Sequence, residues 1–166
     1  MQNIANIRVD DRLIHGQVSV LWLSHLQANR IMVIDDNVVT DDLLKMLLKV
    51  ACPSSAKLSI LSVATAVSNL NNNKYAGDRM LIVVKEPKTI LDIIEKGFNI
   101  TEVNLGYMGL RENSVALSKQ VYCTKQNLID LQRLIDLGVT LYAKAIPDDK
   151  GFDVRKVVET LLNSFH

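Results

Sequence analysis

The sequence has few of the residues that commit a chain to a metal, a nucleic acid or a membrane. Its 166 residues include only two cysteines, Cys52 and Cys123, whose spacing matches no metal site. Aromatic residues make up 5% of the chain and the net charge is +1, which excludes a stacking platform or a basic field for nucleic acid. No apolar run approaches the ~20 residues that cross a bilayer, so any membrane contact would go through partner proteins. We therefore expect free thiols in a reducing cytoplasm, with neither a metal ion nor a cofactor.

What the chain does have is typical of a globular protein. Hydrophobic residues make up 48% of the sequence and charged residues 22%, which argues against disorder. A chain of 166 residues can bury a substantial core, so we predict a single domain over residues 1–166.

Strand-like and helix-like segments alternate along the chain with short connections. Thr40 and Thr124 are placed to cap helices and Gly138 to end one. The alternation predicts an α/β fold, with a single doubly wound, mostly parallel sheet and helices on both faces. Strands are predicted at residues 3–9, 30–34, 57–62, 80–84, 102–105 and 140–145, with a short one near 120–122. Helices are predicted at residues 16–26, 41–51, 63–70, 87–97, 125–138 and 152–163, and a long functional loop at 106–118.

A charged run follows the first predicted strand and leads to His15 at the start of a helix. Unpaired N–H groups at a helix N-terminus favour a phosphate, and Gly16 and Gln17 would supply them here. Arg8 and Arg12 would grip phosphate oxygens with their planar donor groups and would favour the neutral, nucleophilic imidazole. We therefore predict that His15 accepts a phosphoryl group.

Two aspartates of the charged run, Asp10 and Asp11, are candidates for holding the imidazole by its second nitrogen. The residues do not decide between these two neighbours. The opposite interpretation is that His15 only caps the helix or packs against it, as a lone histidine at a strand-to-helix turn usually does.

Other polar residues follow the ends of further predicted strands. Asp35 and Asp36 come after the second strand, and Gly106 comes after the fifth. Ligands bind at the carboxyl ends of parallel strands, so all three could reach one rim as phosphate- or substrate-binding residues. The two aspartates could instead orient the arginines of the charged run, or simply form an Asx-turn.

Residues 8–18, RVDDRLIHGQV, closely resemble the signature of the IIB components of the mannose/fructose/sorbose family of the bacterial phosphoenolpyruvate-dependent sugar phosphotransferase system. The resemblance continues over nearly the whole chain. Residues 103–108, VNLGYM, are similar to the family's Val-Asn-Val-Gly-Gly-Met loop, except that Tyr107 replaces its second glycine. Other motifs of the family are resembled by residues 34–39, 74–77 and 138–141.

The resemblance implies a phosphoryl carrier. His15 would take a phosphoryl group from a phosphohistidine on the IIA component and deliver it to a sugar carried by the membrane-embedded IIC and IID components. The protein would be a cytoplasmic phosphohistidine–sugar phosphotransferase that reaches the membrane only through IIC and IID. Because the membrane components largely select the sugar in that family, the resemblance leaves the sugar open.

Two other functions fit parts of the sequence. A receiver-like, Mg²⁺-dependent phosphoacceptor would use the paired aspartates after the first strand. It also needs an acceptor aspartate at another strand end, and the third predicted strand ends in SILS at residues 59–62. A non-enzymatic binding module would hold an anion with Arg8 and Arg12 while His15 merely capped the helix. Acid-labile phosphate on the protein would distinguish a phosphohistidine from a bound anion.

Overall fold

The computed structural model describes residues 2–165. Its strands and helices alternate along the chain, as the sequence predicts. The strands are β1 (Asn3–Asp10), β2 (Arg30–Ile34), β3 (Lys57–Leu61), β4 (Arg79–Val84), β5 (Glu102–Tyr107), β6 (Val115–Ala116), β7 (Tyr122–Cys123), β8 (Thr140–Ala143) and β9 (Phe152–Asp153). The helices are α1 (Gly16–Leu26), α2 (Asp42–Ala51), α3 (Val63–Asn71), α4 (Pro87–Glu95), α5 (Lys125–Asp136) and α6 (Arg155–Ser164), with a 3-10 turn at Val38–Thr40.

One seven-stranded sheet organises these elements, in the order β3-β2-β4-β1-β5-β8-β9. Neighbouring strands are parallel except at the edge, where β9 is antiparallel to β8. β6 and β7 form a separate antiparallel pair. The carboxyl ends of the parallel strands therefore meet at one rim of the sheet.

Helices cover the sheet on both faces and create two cores. α3 to α6 pack on one face, against buried side chains that include Val9, Ile82 and Leu105. α1 and α2 pack on the other face, against side chains that include Val33 and Leu81. A central strand such as β4 is apolar along its length because both of its faces are buried. The predicted fold class is confirmed.

The predicted cap of the second helix is wrong by one residue. Thr40 lies in the 3-10 turn, where its hydroxyl donates to the carbonyl of Asn37 at 3.0 Å. Asp41 is the N-cap of α2, and its carboxylate accepts from the N–H of Leu44 at 3.0 Å. A carboxylate at this position also interacts favourably with the helix dipole. Thr124 does cap α5, as the sequence predicts.

The C-terminal half contains strand pairings that the sequence does not predict. The segment 106–118 is not one loop, since β5 continues through Tyr107 and β6 pairs with β7. Phe152 and Asp153, predicted as the start of the last helix, form β9 beside β8, and α6 begins at Arg155. β6, β7 and β9 are each two residues long, which is too short for an alternating apolar pattern to be recognised in the sequence.

None of the helices within residues 2–165 combines the length and the apolar character needed to cross a membrane. The same residues contain no cluster of three or more His, Cys, Asp or Glu side chains placed to bind a metal ion.

Candidate functional site

The turn after β1 presents His15 to solvent. The carbonyl of Asp10 accepts a hydrogen bond from the N–H of Leu13 at 2.9 Å and closes the turn. Leu13 has φ 62°, a left-handed conformation that costs a non-glycine residue about 1 kcal/mol or more. The side chains of Leu13 and Ile14 are buried in the core beneath α1 and α2, and this burial offsets the strain. His15, the next residue, is exposed.

His15 is the N-cap of α1 through its backbone and not through its ring. Its N–H donates to the hydroxyl of Ser19 at 3.1 Å, and its carbonyl accepts from the N–H of Ser19 at 3.0 Å. The imidazole makes no hydrogen bond to any of residues 2–165. Gly16 and Gln17, both exposed, begin a helix whose first turn holds no acidic residue. The ring therefore sits unpaired at the positive end of the helix dipole.

Asp10 holds two arginines together. Its carboxylate accepts from Arg12 at both oxygens, from Nε at 3.0 Å and from Nη2 at 2.9 Å. It also accepts from Nη2 of Arg8 at 3.3 Å and from the backbone N–H of Arg12 at 3.0 Å. The carboxylate is 3% exposed, so these charge-assisted bonds are little weakened by water. Asp10 therefore orients arginines rather than the imidazole.

Asp11 connects the turn between β1 and α1, residues 11–15, to the segment after β5. We call residues 11–15 the histidine turn. Its carboxylate accepts from the N–H of Gly109 at 2.8 Å and from Nη2 of Arg111 at 3.4 Å. The prediction that Asp10 or Asp11 holds the imidazole of His15 is therefore wrong, because both carboxylates bind other groups.

Arg8, predicted to grip phosphate, lies inside the protein at 2% exposure. Besides its bond to Asp10, it donates from Nη1 to the carbonyl of Lys144 at 3.0 Å and from Nη2 to that of Ala145 at 2.9 Å. Its guanidinium stacks on Trp22, 5.0 Å from the ring centroid. Burial lowers the pKa of Arg8, against the opposing effect of Asp10. Arg8 is thus a buried support of the turn and does not contact phosphate directly.

Gly106 leaves room for the Arg8 guanidinium. A Cβ atom at Gly106 would overlap that group. β5 also bulges here, because Val9 pairs with Leu105 but Asp10 pairs with Tyr107, which makes Gly106 the extra residue. The predicted binding residue Gly106 therefore acts on the site through Arg8.

Arg12 is the arginine that stays accessible, with 28% of its side chain exposed. The ring of Tyr107 lies against its guanidinium, 3.9 Å from Cζ to the ring centroid. Hydrogen bonding to Asp10 raises the pKa of Arg12, although partial burial opposes it. Nη1 has no acceptor among residues 2–165, so it can donate to an incoming anion.

Asp35 and Asp36 do not contact the arginines. Asp35 accepts from the N–H groups of Asn37 at 2.8 Å and Val38 at 3.0 Å, which is an Asx-turn. Asp36 accepts from the N–H of Val63 at 2.8 Å and so links the end of β2 to the start of α3. The interpretation that this pair orients arginines is wrong, and the Asx-turn alternative is correct for Asp35, while phosphate binding by the pair stays a prediction.

Three contributing residues were missed from the sequence. Ser19 lies four positions after His15, the spacing at which helical side chains face the preceding turn. Trp22 packs in the core beneath α1 and α2, and its Nε1 donates to the carbonyl of Ala145 at 3.0 Å beside Arg8. For Tyr107 the available signal was its position just after the end of a predicted strand, because ligands bind at that rim of a parallel sheet.

The chain resembles known proteins in both sequence and fold. Residues 4–164 match the family described as the PTS system sorbose subfamily IIB component. The chain is 33% identical over 147 residues to the sorbose-specific EIIB component of Lacticaseibacillus casei, covering 89% of this chain and 90% of that relative. It is 32% identical over 154 residues to the mannose-specific EIIAB component of Escherichia coli strain K12, covering 93% of this chain and 48% of that relative. The crystal structure of the IIBSor domain of the sorbose permease from Klebsiella pneumoniae aligns with a TM-score of 0.88 at 29% identity, covering 95% of this chain and 97% of that one.

Proposed function

Because the chain belongs to the sorbose-subfamily IIB components of the sugar phosphotransferase system, which are phosphoryl carriers in sugar uptake, we propose that His15 is the residue that carries the phosphoryl group. The observation that carries the proposal is the exposed, unpaired imidazole at the N-terminus of α1. A nucleophile needs an accessible nitrogen, and His15 has one at a place that favours negative charge.

The proposed reaction has two transfers. In the first, a ring nitrogen of His15 bonds to phosphorus as the bond from phosphorus to the donor histidine breaks, and a proton passes from His15 to the released donor imidazole. In the second, a sugar hydroxyl oxygen bonds to phosphorus as the bond from phosphorus to the His15 nitrogen breaks, and the hydroxyl proton ends on the released imidazole of His15. Nη1 of Arg12 and the N–H groups of Gly16 and Gln17 stabilise the equatorial oxygens in both transfers, because phosphoryl transfer depends on positioning and charge neutralisation.

We propose the IIA component as the phosphoryl donor, and the IIC and IID components as the site where the sugar receives the group. Two observations support a surface reaction between proteins. His15 is exposed on a turn, and it does not line the cavity of about 650 Å³ beside Gly106 at the ends of β5 and β8. A relative is named as a combined EIIAB component, which supports IIA as the neighbour of this chain in the transfer.

Labelling from phosphoenolpyruvate, with the general phosphotransferase proteins and a IIA component, tests His15 directly. We expect acid-labile phosphate on the wild type and none on a His15→Ala variant. His25, another exposed histidine of α1, provides the matched control, and a His25→Ala variant should label fully. Full labelling of His15→Ala, or phosphate that is stable in acid, would overturn the proposal.

The role of Arg12 is tested by the rate of transfer. Arg12→Ala should slow transfer by about 10²- to 10³-fold, as expected when one electrostatic stabiliser is removed. Arg12→Lys should restore only part of the rate, because a point charge lacks the planar donor group. The control is Arg133→Ala, which removes an exposed arginine paired with Glu95. An unchanged rate in Arg12→Ala would assign the stabilisation to the backbone N–H groups alone.

A further inference from the structure

Two consecutive residues at the end of β5 each support one arginine. The Arg8 guanidinium lies over Gly106, and the Arg12 guanidinium lies over the ring of Tyr107. Asp10 binds both arginines. β1 and the histidine turn thus meet at one carboxylate, and the end of β5 contacts the two arginines that this carboxylate binds.

We propose that Tyr107 is a positioning residue for phosphoryl transfer, holding the plane of the Arg12 guanidinium toward the phosphoryl group. The proposal rests on the proposed function of His15. Tyr107 does not touch the transferred group, and it acts through Arg12.

Among residues 2–165, the Arg12 guanidinium is held by two groups, the carboxylate of Asp10 and the ring of Tyr107. Asp10 binds the edge that carries Nε and Nη2. An edge contact still permits the group to tilt about the line of those two bonds. The ring of Tyr107, 3.9 Å from Cζ, occupies one face and removes that freedom. Nη1 is the guanidinium nitrogen that Asp10 does not bind, so it is the one left to face the phosphoryl group.

A bulge in the backbone of β5 positions the ring of Tyr107 against Arg12. The bulge at Gly106 brings Tyr107 into register opposite Asp10. The N–H of Asp11 donates to the carbonyl of Tyr107 at 3.1 Å and extends the pairing into the histidine turn. In a regular strand the side chain of Tyr107 would lie on the same face as that of Leu105, in the core beneath α3 to α6, and the extra residue breaks that alternation. The ring is therefore fixed by the same strand pair that fixes Asp10.

The aromatic face is the part of Tyr107 that performs this role. A ring face attracts a cation, and it also shields the guanidinium from water, which strengthens its effect on nearby charge. A leucine would fill some of the space without attracting the cation. The ring of phenylalanine would keep both effects.

The rate of transfer from phospho-IIA to the protein tests the inference. Tyr107→Leu should lower kcat by between ~10- and ~100-fold, as a small misplacement of a catalytic group does, with an unchanged KM for phospho-IIA. Tyr107→Phe should retain the wild-type kcat. In an Arg12→Ala background, Tyr107→Leu should cause no further loss, because the residue has nothing left to position.

A similar trio at the opposite ends of the strands, where β2 and β4 begin, supplies the control. Arg30 stacks on Tyr75, 4.8 Å from Cζ to the ring centroid, and its Nε donates to Asp78 at 2.7 Å. Tyr75→Leu should therefore lower stability, while the folded variant keeps the wild-type kcat. Equal losses of kcat in the two leucine variants would overturn the inference, since the effect would then be general loosening of the fold.

Three further outcomes would also overturn it. They are a wild-type kcat in Tyr107→Leu, a change confined to KM, and a Tyr107→Phe variant as slow as Tyr107→Leu. A full additional loss in the Arg12→Ala background would show that Tyr107 does not act through Arg12. Failure of the proposed function is recognised separately, because it would appear as missing label on His15 in the wild-type protein.

Discussion

Replacing Gly106 by alanine adds a single methyl group at the position of a buried cation. The methyl would overlap the Arg8 guanidinium, so Arg8 would have to leave its bonds to the carbonyls of Lys144 and Ala145. Gly106 does not have a positive φ, so its backbone conformation is open to alanine. The variant therefore tests the placement of Arg8 and little else.

The expected loss of stability follows from two opposing effects. Breaking a buried charged pair costs about 3 to 5 kcal/mol. Replacing glycine by alanine at a compatible backbone position regains about 0.4 to 1 kcal/mol through the unfolded chain. The free energy of unfolding should fall by about 2 to 4.6 kcal/mol. For a chain of this length that lowers Tm by roughly 4 to 18 °C.

Urea unfolding followed by circular dichroism measures this change. Gly109→Ala is the matched control, because a Cβ there would meet its nearest heavy atom, Oδ2 of Asp11, at an ordinary 3.6 Å. In an Arg8→Ala background the added methyl has room, so Gly106→Ala should cost almost nothing further. A Gly106→Ala variant as stable as the wild type, or the same loss in both backgrounds, would refute the reasoning.

The remaining predictions concern groups away from the histidine turn. Hydrogen bonds from Arg30 and Lys57 lower the pKa of Asp78, so its contribution to stability is complete above about pH 4 and is lost as the pH falls through the lowered pKa. Asp78→Asn should accordingly have a lower free energy of unfolding than the wild type at neutral pH, and this difference should shrink in acid. Urea titrations at both pH values measure it, and a difference that stays the same in acid would contradict the prediction. Burial raises the pKa of Cys123 to about 12 and also raises that of half-buried Cys52. A thiol reagent at neutral pH should label Cys52 slowly and Cys123 only after unfolding, and rapid labelling of Cys123 in the native protein would show that its burial is incomplete.

Local sequence was sufficient to locate the histidine turn. α1 and β2 have the predicted bounds, because strand-ending charges, a glycine start and helical spacing all act over short distances. The same local pattern places His15 directly before the first helix, where the structure has it. Its position beyond the end of a strand follows from the fold class once the sheet is known to be parallel.

The hydrogen-bond partners of the charged residues around the turn could not be predicted from local sequence. Arg8 has acceptors at Lys144 and Ala145, which are far away in sequence. A charged residue is normally expected at the surface, so the residue type argues against burial of Arg8. One clue was present in β1, where Ile7 and Val9 face one core and alternation places Arg8 on the opposite face with Asp10.

The aspartates illustrate the same limit. Asp35 makes a local Asx-turn, which its sequence context allowed as one of three alternatives. Asp11 binds Gly109 and Arg111, and only the pairing of β1 with β5 brings these residues within reach. Short-range contacts could thus be anticipated, whereas contacts across the sheet needed the register of the strands.

Trp22 gives this molecule a built-in optical reporter. It is the only tryptophan in the sequence, so the fluorescence of the protein at tryptophan wavelengths comes from one known place. Its indole lies under the Arg8 guanidinium and is bonded to the carbonyl of Ala145, with the ring of His25 6.0 Å away. Any event that moves the arginines changes the electric field at the indole. The emission spectrum can therefore follow the state of the turn in solution without an attached dye.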